Sequence, residues 1–225
     1  MTEDLIDKIL GEMRDLYLED PNRAVRGQGF IKILHGYVAA QIEARLTPKA
    51  IKDGVTVEEE ATLFGSHKPK DVDVSVIHPM NGPLMIVGLR SQMSSVANNA
   101  LTYYQDIVGE CISLQDRFPL SVIGYIYLMP LHPIKEDHEE VVIDHPRYAK
   151  MYRAISGRSG HDYKSLRGIY DQFAYMVVDF TKSPPTIEDA LVKAAVPKYD
   201  LSVRTFIDRM IETYKERDLF LDYFT

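Results

Sequence analysis

"KDVDVSVIHPMNGPLMIVGLRSQ", residues 70–92, carries the strand pattern from which the architecture follows. Val72, Val74 and Val76 alternate with Asp71, Asp73 and Ser75, which is the period of a strand with one buried face. "HPMNGP", residues 78–83, is turn chemistry, with two prolines, an asparagine and a glycine. "LMIVGLR", residues 84–90, is almost wholly apolar, as a strand covered on both faces is. The stretch predicts two adjacent antiparallel strands, 72–77 and 84–90.

Just beyond it, Val96, Ala100, Tyr103, Tyr104, Ile107, Val108, Cys111 and Leu114 recur at helical spacing, so 94–117 reads as a crossover helix. "LSVIGYIYLMP", residues 120–130, is a further buried strand. Strand, helix and strand predict a right-handed parallel unit, with 120–129 parallel to 84–90. Upstream, "DGVTVEEEATLFG" (53–65) reads as a strand. Leu5, Ile6, Ile9, Leu10, Met13 and Leu16 make a helix over 2–18, with Thr2 as its cap. Phe30, Ile31, Leu34, Tyr37, Val38 and Ile42 make a second helix, ended by "TPKA". Downstream, "AYMVVDF" (174–180) reads as a last strand or a helix end. "TIEDALVKAAV" (186–196) reads as a short helix with Thr186 and Asp189 as a capping box. Residues 202–223 read as a C-terminal helix. The order implies a single α/β domain with a mixed central sheet, its core at about 50–180.

Composition bounds the function. The chain has 225 residues, 45% apolar and 26% charged, which is ordinary for a globular domain. No apolar run is long enough to span a bilayer, and "MTEDLIDKIL" is no secretory signal, so a cytoplasmic protein is expected. The single cysteine, Cys111, sits among apolar residues and reads as a core thiol. Net charge is -7, but it is unevenly spread. Between His145 and Gly168, Arg147, Lys150, Arg153, Arg158, Lys164 and Arg167 face a single acid, Asp162, with tyrosines interleaved. That segment reads either as a solvated helix face with a loop or as a phosphate-contacting surface.

Residues two apart on a strand share a face. Asp71 and Asp73 therefore lie together on one strand, and Gly88, Arg90 and Gln92 on the next. If the strands pair, aspartate, arginine and glutamine converge. Carboxylates beside a cation suit metal-assisted phosphodiester hydrolysis. The bland reading is an edge strand whose aspartates are paired with Arg90. His67 and His78 flank the hairpin and read as turn caps, and His132, His138 and His145 lack the paired spacing of a zinc site.

"DVDVSV…GPLMIVGLRSQMSSVANNALTYYQDIVGECISL" resembles the core of the PD-(D/E)xK nuclease superfamily, in particular type II restriction endonucleases. In those, the second strand ends in an acid–x–Lys–Ser–Gln run, followed by paired asparagines and a helix carrying paired acids before a glycine. Ser91 and Gln92 match, as do Asn98 and Asn99. Gln105 and Asp106 stand ahead of Gly109 where the paired acids belong. The resemblance covers about a third of the chain. It implies a restriction-endonuclease-like mixed β-sheet flanked by α-helices, Mg²⁺ as cofactor, double-stranded DNA as substrate and a homodimer to cut both strands.

Two departures matter. Gly88 stands where a metal-binding acid belongs, and Arg90 where a lysine does. Arg90 keeps the charge but cannot exchange a proton near neutral pH. The missing acid could come from the crossover helix, through Asp106 or Glu110, or from the preceding strand, through Glu58, Glu59 or Glu60. The resemblance makes Asp73 the first metal ligand and Asp71 the second. It makes Arg90 a phosphate clamp and Gln92 a positioning group. Asn98, Asn99, Arg147, Lys150, Arg153 and Arg158 are then the candidate DNA contacts.

Overall fold

The computed structural model describes residues 5–20, 28–66, 68–93, 96–133, 142–158, 167–217 and 222–225. Side chains of Val96–Ala100 lie outside that description, and so do Lys164, His67 and His138. Six strands form one sheet in the order β1-β2-β3-β4-β5-β6. They are β1 (Thr56–Phe64), β2 (Pro69–His78), β3 (Gly82–Ser91), β4 (Val122–Pro130), β5 (Gln172–Asp179) and β6 (Thr186–Ile187). The described helices are α1 (Leu5–Glu19), α2 (Gly29–Glu43), α3 (Pro48–Lys52), α4 (Val96–Arg117), α5 (His145–Ala154), α6 (Asp189–Ala195) and α7 (Phe206–Glu216). Among the described residues, no helix is long and apolar enough to cross a membrane.

Residues 70–92 fold as expected. β2 pairs antiparallel with β3, from His78↔Gly82 to Val74↔Val87. β4 lies parallel to β3, from Met85↔Val122 to Ser91↔Leu128, with α4 as the connection. β5 runs parallel to β4, which resolves "AYMVVDF" as strand. Continuous apolar runs suit β3, β4 and β5 because helices cover both sheet faces. Ile6, Leu10, Leu34, Val38, Phe206 and Met210 cover one face, packing on Val76, Val87 and Ile126. Ile107, Cys111, Tyr152 and Val192 cover the other, packing on Ile86, Tyr125 and Phe173. Burial pushes the Cys111 thiol up, as befits a core residue. Gly124 lets α7 sit close, because a β-carbon there would stand 2.5 Å from Met210 Sδ.

Three local expectations fail for identifiable reasons. "TPKA" does not simply end α2. Thr47 accepts the Ala50 amide and Pro48 opens the short α3. Thr186 does not cap α6. It lies in β6, and its hydroxyl bonds Glu188, whose side chain forms no cap bond either. The C-terminal helix stops at Glu216, and Phe224 instead makes a β-bridge to Leu46. Tertiary pairing there overrides an apolar pattern that continues past the helix.

The alternation of β2 also breaks, and this positions the site. Val74 and Val76 join the α2 face, whereas Val72 joins the α4 face with Leu63. A regular strand would put all three together. The inversion coincides with Glu60, whose φ of 57° is left-handed. Cα pairing between β1 and β2 holds at Glu59↔Val74 and resumes at Ala61↔Val72, leaving Glu60 and Asp73 facing each other at the irregular step.

Candidate metal centre

Asp73 sits where β2 parts from β3. Beyond the last β2–β3 pair its Oδ2 accepts the Leu89 amide at 2.5 Å, so the side chain does what a backbone carbonyl would do in a longer ladder. Its Oδ1 faces His35 Nε2 at 3.7 Å. His35 comes from α2 and is 2% exposed. Glu60 comes across from β1, with Oε1 at 3.1 Å from His35 Nδ1 and Oε2 at 3.3 Å from Lys32 Nζ. One donor atom each from His35, Glu60 and Asp73 lies within 4.8 Å of the others. These three, with Gln28, Ile31, Thr62, Asp71 and Val72, line an open cleft of about 460 Å³.

The electrostatics follow from this crowding. Burial pushes the Asp73 carboxyl up to about 6, and the charges of Glu110 and Glu60 add to the effect. The Leu89 amide and Arg90 oppose it. Burial also lowers the His35 pKa against the pull of Glu60, so the imidazole stays neutral near pH 7 and keeps a lone pair. With Nδ1 bonded to Glu60, that lone pair is assigned to Nε2, which is buried and has no hydrogen-bond partner among the described residues. Two carboxylates and an orphaned imidazole nitrogen form a donor set that fits a divalent ion.

The residues singled out in the sequence divide. Asp73 and Glu60 come together. Asp71 lines the same cleft, with Oδ1 accepting the Thr62 hydroxyl at 2.6 Å. Glu58 bonds Thr56 instead. Glu110 reaches back toward β2 but meets Lys70 at 3.4 Å. Asp106 is exposed on α4, and its charge acts on Arg90. Arg90 lies on the α4 side with its guanidinium 4.7 Å over the Tyr103 ring, and its buried Nη1 has no hydrogen-bond partner among the described residues. Gln92 is only 4% exposed, and its Oε1 accepts the Tyr127 hydroxyl. It supports the core at the end of β3 and does not reach the cleft, which corrects its reading as a positioning group. Gly88 is pressed by the Tyr125 ring.

The basic segment divides too. Arg147 and Lys150 are exposed on α5. Arg153 is half-buried, with its guanidinium 3.2 Å over the Tyr199 ring. Arg158 is 1% exposed and bidentate on the buried Asp171, at 2.8 Å for each bond. It belongs to the core, and its assignment as a DNA contact is corrected. α5 packs over β5 on the α4 face. β5 is three strands from β2, or about 14 Å at ordinary strand spacing. Asn98 and Asn99 fall within α4, with side chains outside the described residues.

His35 escaped the sequence reading. Its signal was available: it interrupts the apolar stripe Ile31, Val38 and Ile42 of α2. A polar ring on a buried stripe demands partners; Glu60 supplies one at Nδ1, and Asp73 faces the other nitrogen. No protein-family model, curated protein or solved structure matches this chain.

Proposed function

We propose that the protein is a metal-dependent phosphodiesterase of restriction-endonuclease-like architecture that cleaves double-stranded DNA. Its metal centre is rebuilt from β3 onto β1 and α2. The succession of two helices, three antiparallel strands, a helix and a parallel strand in α2–α3–β1–β2–β3–α4–β4 supports the architecture. The observation that carries the chemistry is the meeting of Asp73 and Glu60 in an open polar cleft, where β2 parts from β3.

Asp73 and Glu60 would hold the ion through carboxylate oxygens, as one or two carboxylates with waters and substrate oxygens commonly do for Mg²⁺. Bound there, the ion would polarise a phosphate oxygen and make a coordinated water more acidic. The Leu89 amide fixes the Asp73 rotamer. Lys32 lies beside Glu60 at the cleft edge and supplies a positive charge for an approaching phosphate. Arg90 offers a planar cationic fork on the far side of Asp73. Cutting both strands of a duplex would need two such sites, and so a second copy of the chain.

A nuclease-like domain that binds nucleic acid without cutting it is the second reading. The use of Gly88 and Gln92 for packing favours it. Supercoiled plasmid incubated with Mg²⁺ or Mn²⁺ separates the two. The parent is expected to nick or linearise DNA, and Asp73→Ala and Glu60→Gln are expected to lose at least about a hundredfold in rate. A parent that never cuts leaves the binding reading. Equal cutting by Asp73→Ala removes the site from the chemistry.

A further inference from the structure

We propose that His35 is a direct imidazole ligand in this centre, so that the site prefers an ion that takes nitrogen, such as Mn²⁺ or Zn²⁺, over Mg²⁺. This rests on the reading of Asp73 and Glu60 as the acids of the metal centre and refines it: Asp73 binds the ion directly, while Glu60, on Nδ1, supports the ring from behind.

Glu60 Oε1 holds His35 Nδ1 at 3.1 Å, which orients the ring and leaves the lone pair on Nε2. A carboxylate behind an imidazole is the usual second support of a metal-bound histidine. Nε2 then points at Asp73 Oδ1 across 3.7 Å, too far for a hydrogen bond. Both atoms are acceptors, and Nε2 is buried with no donor among the described residues. Two acceptors facing each other in a buried corner repel unless something positive lies between them. Two donors each about 2.1 Å from one ion lie at most about 4.2 Å apart, so a gap of 3.7 Å accommodates one. Asp73 is held by Leu89 and His35 by Glu60, so neither can easily turn away. Imidazole suits Zn²⁺ best, and Mn²⁺ accepts it beside carboxylates, whereas Mg²⁺ favours oxygen alone.

Mn²⁺ titrated into the full chain and followed by electron paramagnetic resonance reads both site and ligand. Wild-type protein is expected to bind Mn²⁺ at least about tenfold tighter than Mg²⁺, with ¹⁴N modulation in the spin echo. His35→Ala should lose the modulation and at least about tenfold in Mn²⁺ affinity, while Mg²⁺ affinity stays within about twofold. Because His35 is buried, His35→Asn provides a second variant if the alanine protein does not fold. Bound Mn²⁺ without ¹⁴N modulation in the wild type, or modulation that persists in the variant, overturns the His35 assignment while leaving Asp73 and Glu60 as ligands. Mn²⁺ that fails to bind, or binds equally to Asp73→Ala, overturns the centre itself and the inference with it.

Discussion

The ring of Tyr125 fills the space that a side chain at position 88 would need. The two residues pair directly across β3 and β4, and a β-carbon on Gly88 would stand 2.5 Å from the ring. Glycine here is a packing requirement: Tyr125 is 3% exposed and stacks on Phe173, so it cannot swing away cheaply. Gly88→Ala is therefore expected to destabilise by about 1–3 kcal/mol and Gly88→Glu by more. Combined with Tyr125→Ala, Gly88→Ala should cost less than the two changes separately. Urea denaturation of the four proteins checks this. A neutral Gly88→Ala would return the position to a simple loss of a ligand.

Legibility followed the period of the pattern. β2, β3, α4 and β4 could be read because their valines, turn residues and helical stripe each obey one repeat. Asp73 could be read for the same reason. What alternation could not show was its own failure at Glu60, where a left-handed residue opposite Asp73 turns β1 and β2 over. Glu60 was one of five candidates for the missing acid, and only the inversion singled it out. His35 was missed because its partners lie 25 and 38 positions downstream, beyond any local spacing. Arg158 misled because a cation in a basic segment looks exposed, while its buried partner Asp171 sits 13 residues on.

Arg158, Asp171 and Arg217 form a buried cluster that knits the start of β5 to the end of α7. Arg158 binds Asp171 through two nitrogens, Arg217 binds Oδ1 and the Ser121 carbonyl, and Asp171 Oδ2 accepts the Ile123 amide at 2.7 Å. Removing one partner leaves an uncompensated buried charge. Asp171→Ala should therefore cost about 3–5 kcal/mol, and Arg158→Ala a comparable amount. Arg147→Ala and Lys150→Ala, both exposed, should stay within about 0.5 kcal/mol. These two are the residues with which to test whether α5 contacts DNA, through the salt dependence of affinity. An Arg158→Ala protein as stable as the parent would contradict the cluster.

His145 should make the fold acid-sensitive in a defined window. It is 2% exposed, its Nδ1 meets the Tyr175 hydroxyl at 2.6 Å, and burial lowers its pKa from 6.5 to about 4. Between those values the unfolded chain takes up a proton that the folded one resists. Stability contributed by neutral His145 is thus present above pH 6.5 and is lost as pH falls toward 4, by up to about 3 kcal/mol. His145→Gln keeps a polar partner for Tyr175 without titrating. Its stability should fall less steeply over that range, although it starts lower. Parallel slopes for the two proteins would show that His145 does not carry the effect.

Glu60 holds a conformation that costs a non-glycine residue about 1–2 kcal/mol. Its φ is 57°, and its carboxylate is aimed at His35 and Lys32 in the cleft. Strain kept at a cleft residue points to a gain elsewhere, and metal binding is that gain in the reading above. Asparagine tolerates the left-handed region far better than glutamate, but its shorter side chain cannot reach His35 from the same Cα. Glu60→Asn is therefore expected to match or exceed the parent in thermal stability under chelator, by up to about 1 kcal/mol, while losing most of its affinity for Mn²⁺. Calorimetry with and without Mn²⁺ reads both effects, and the parent alone should gain stability when the ion is added. If Glu60→Asn is instead less stable than the parent in chelator, the His35 and Lys32 contacts outweigh the strain. Glu60 would then be a structural residue that happens to face the cleft.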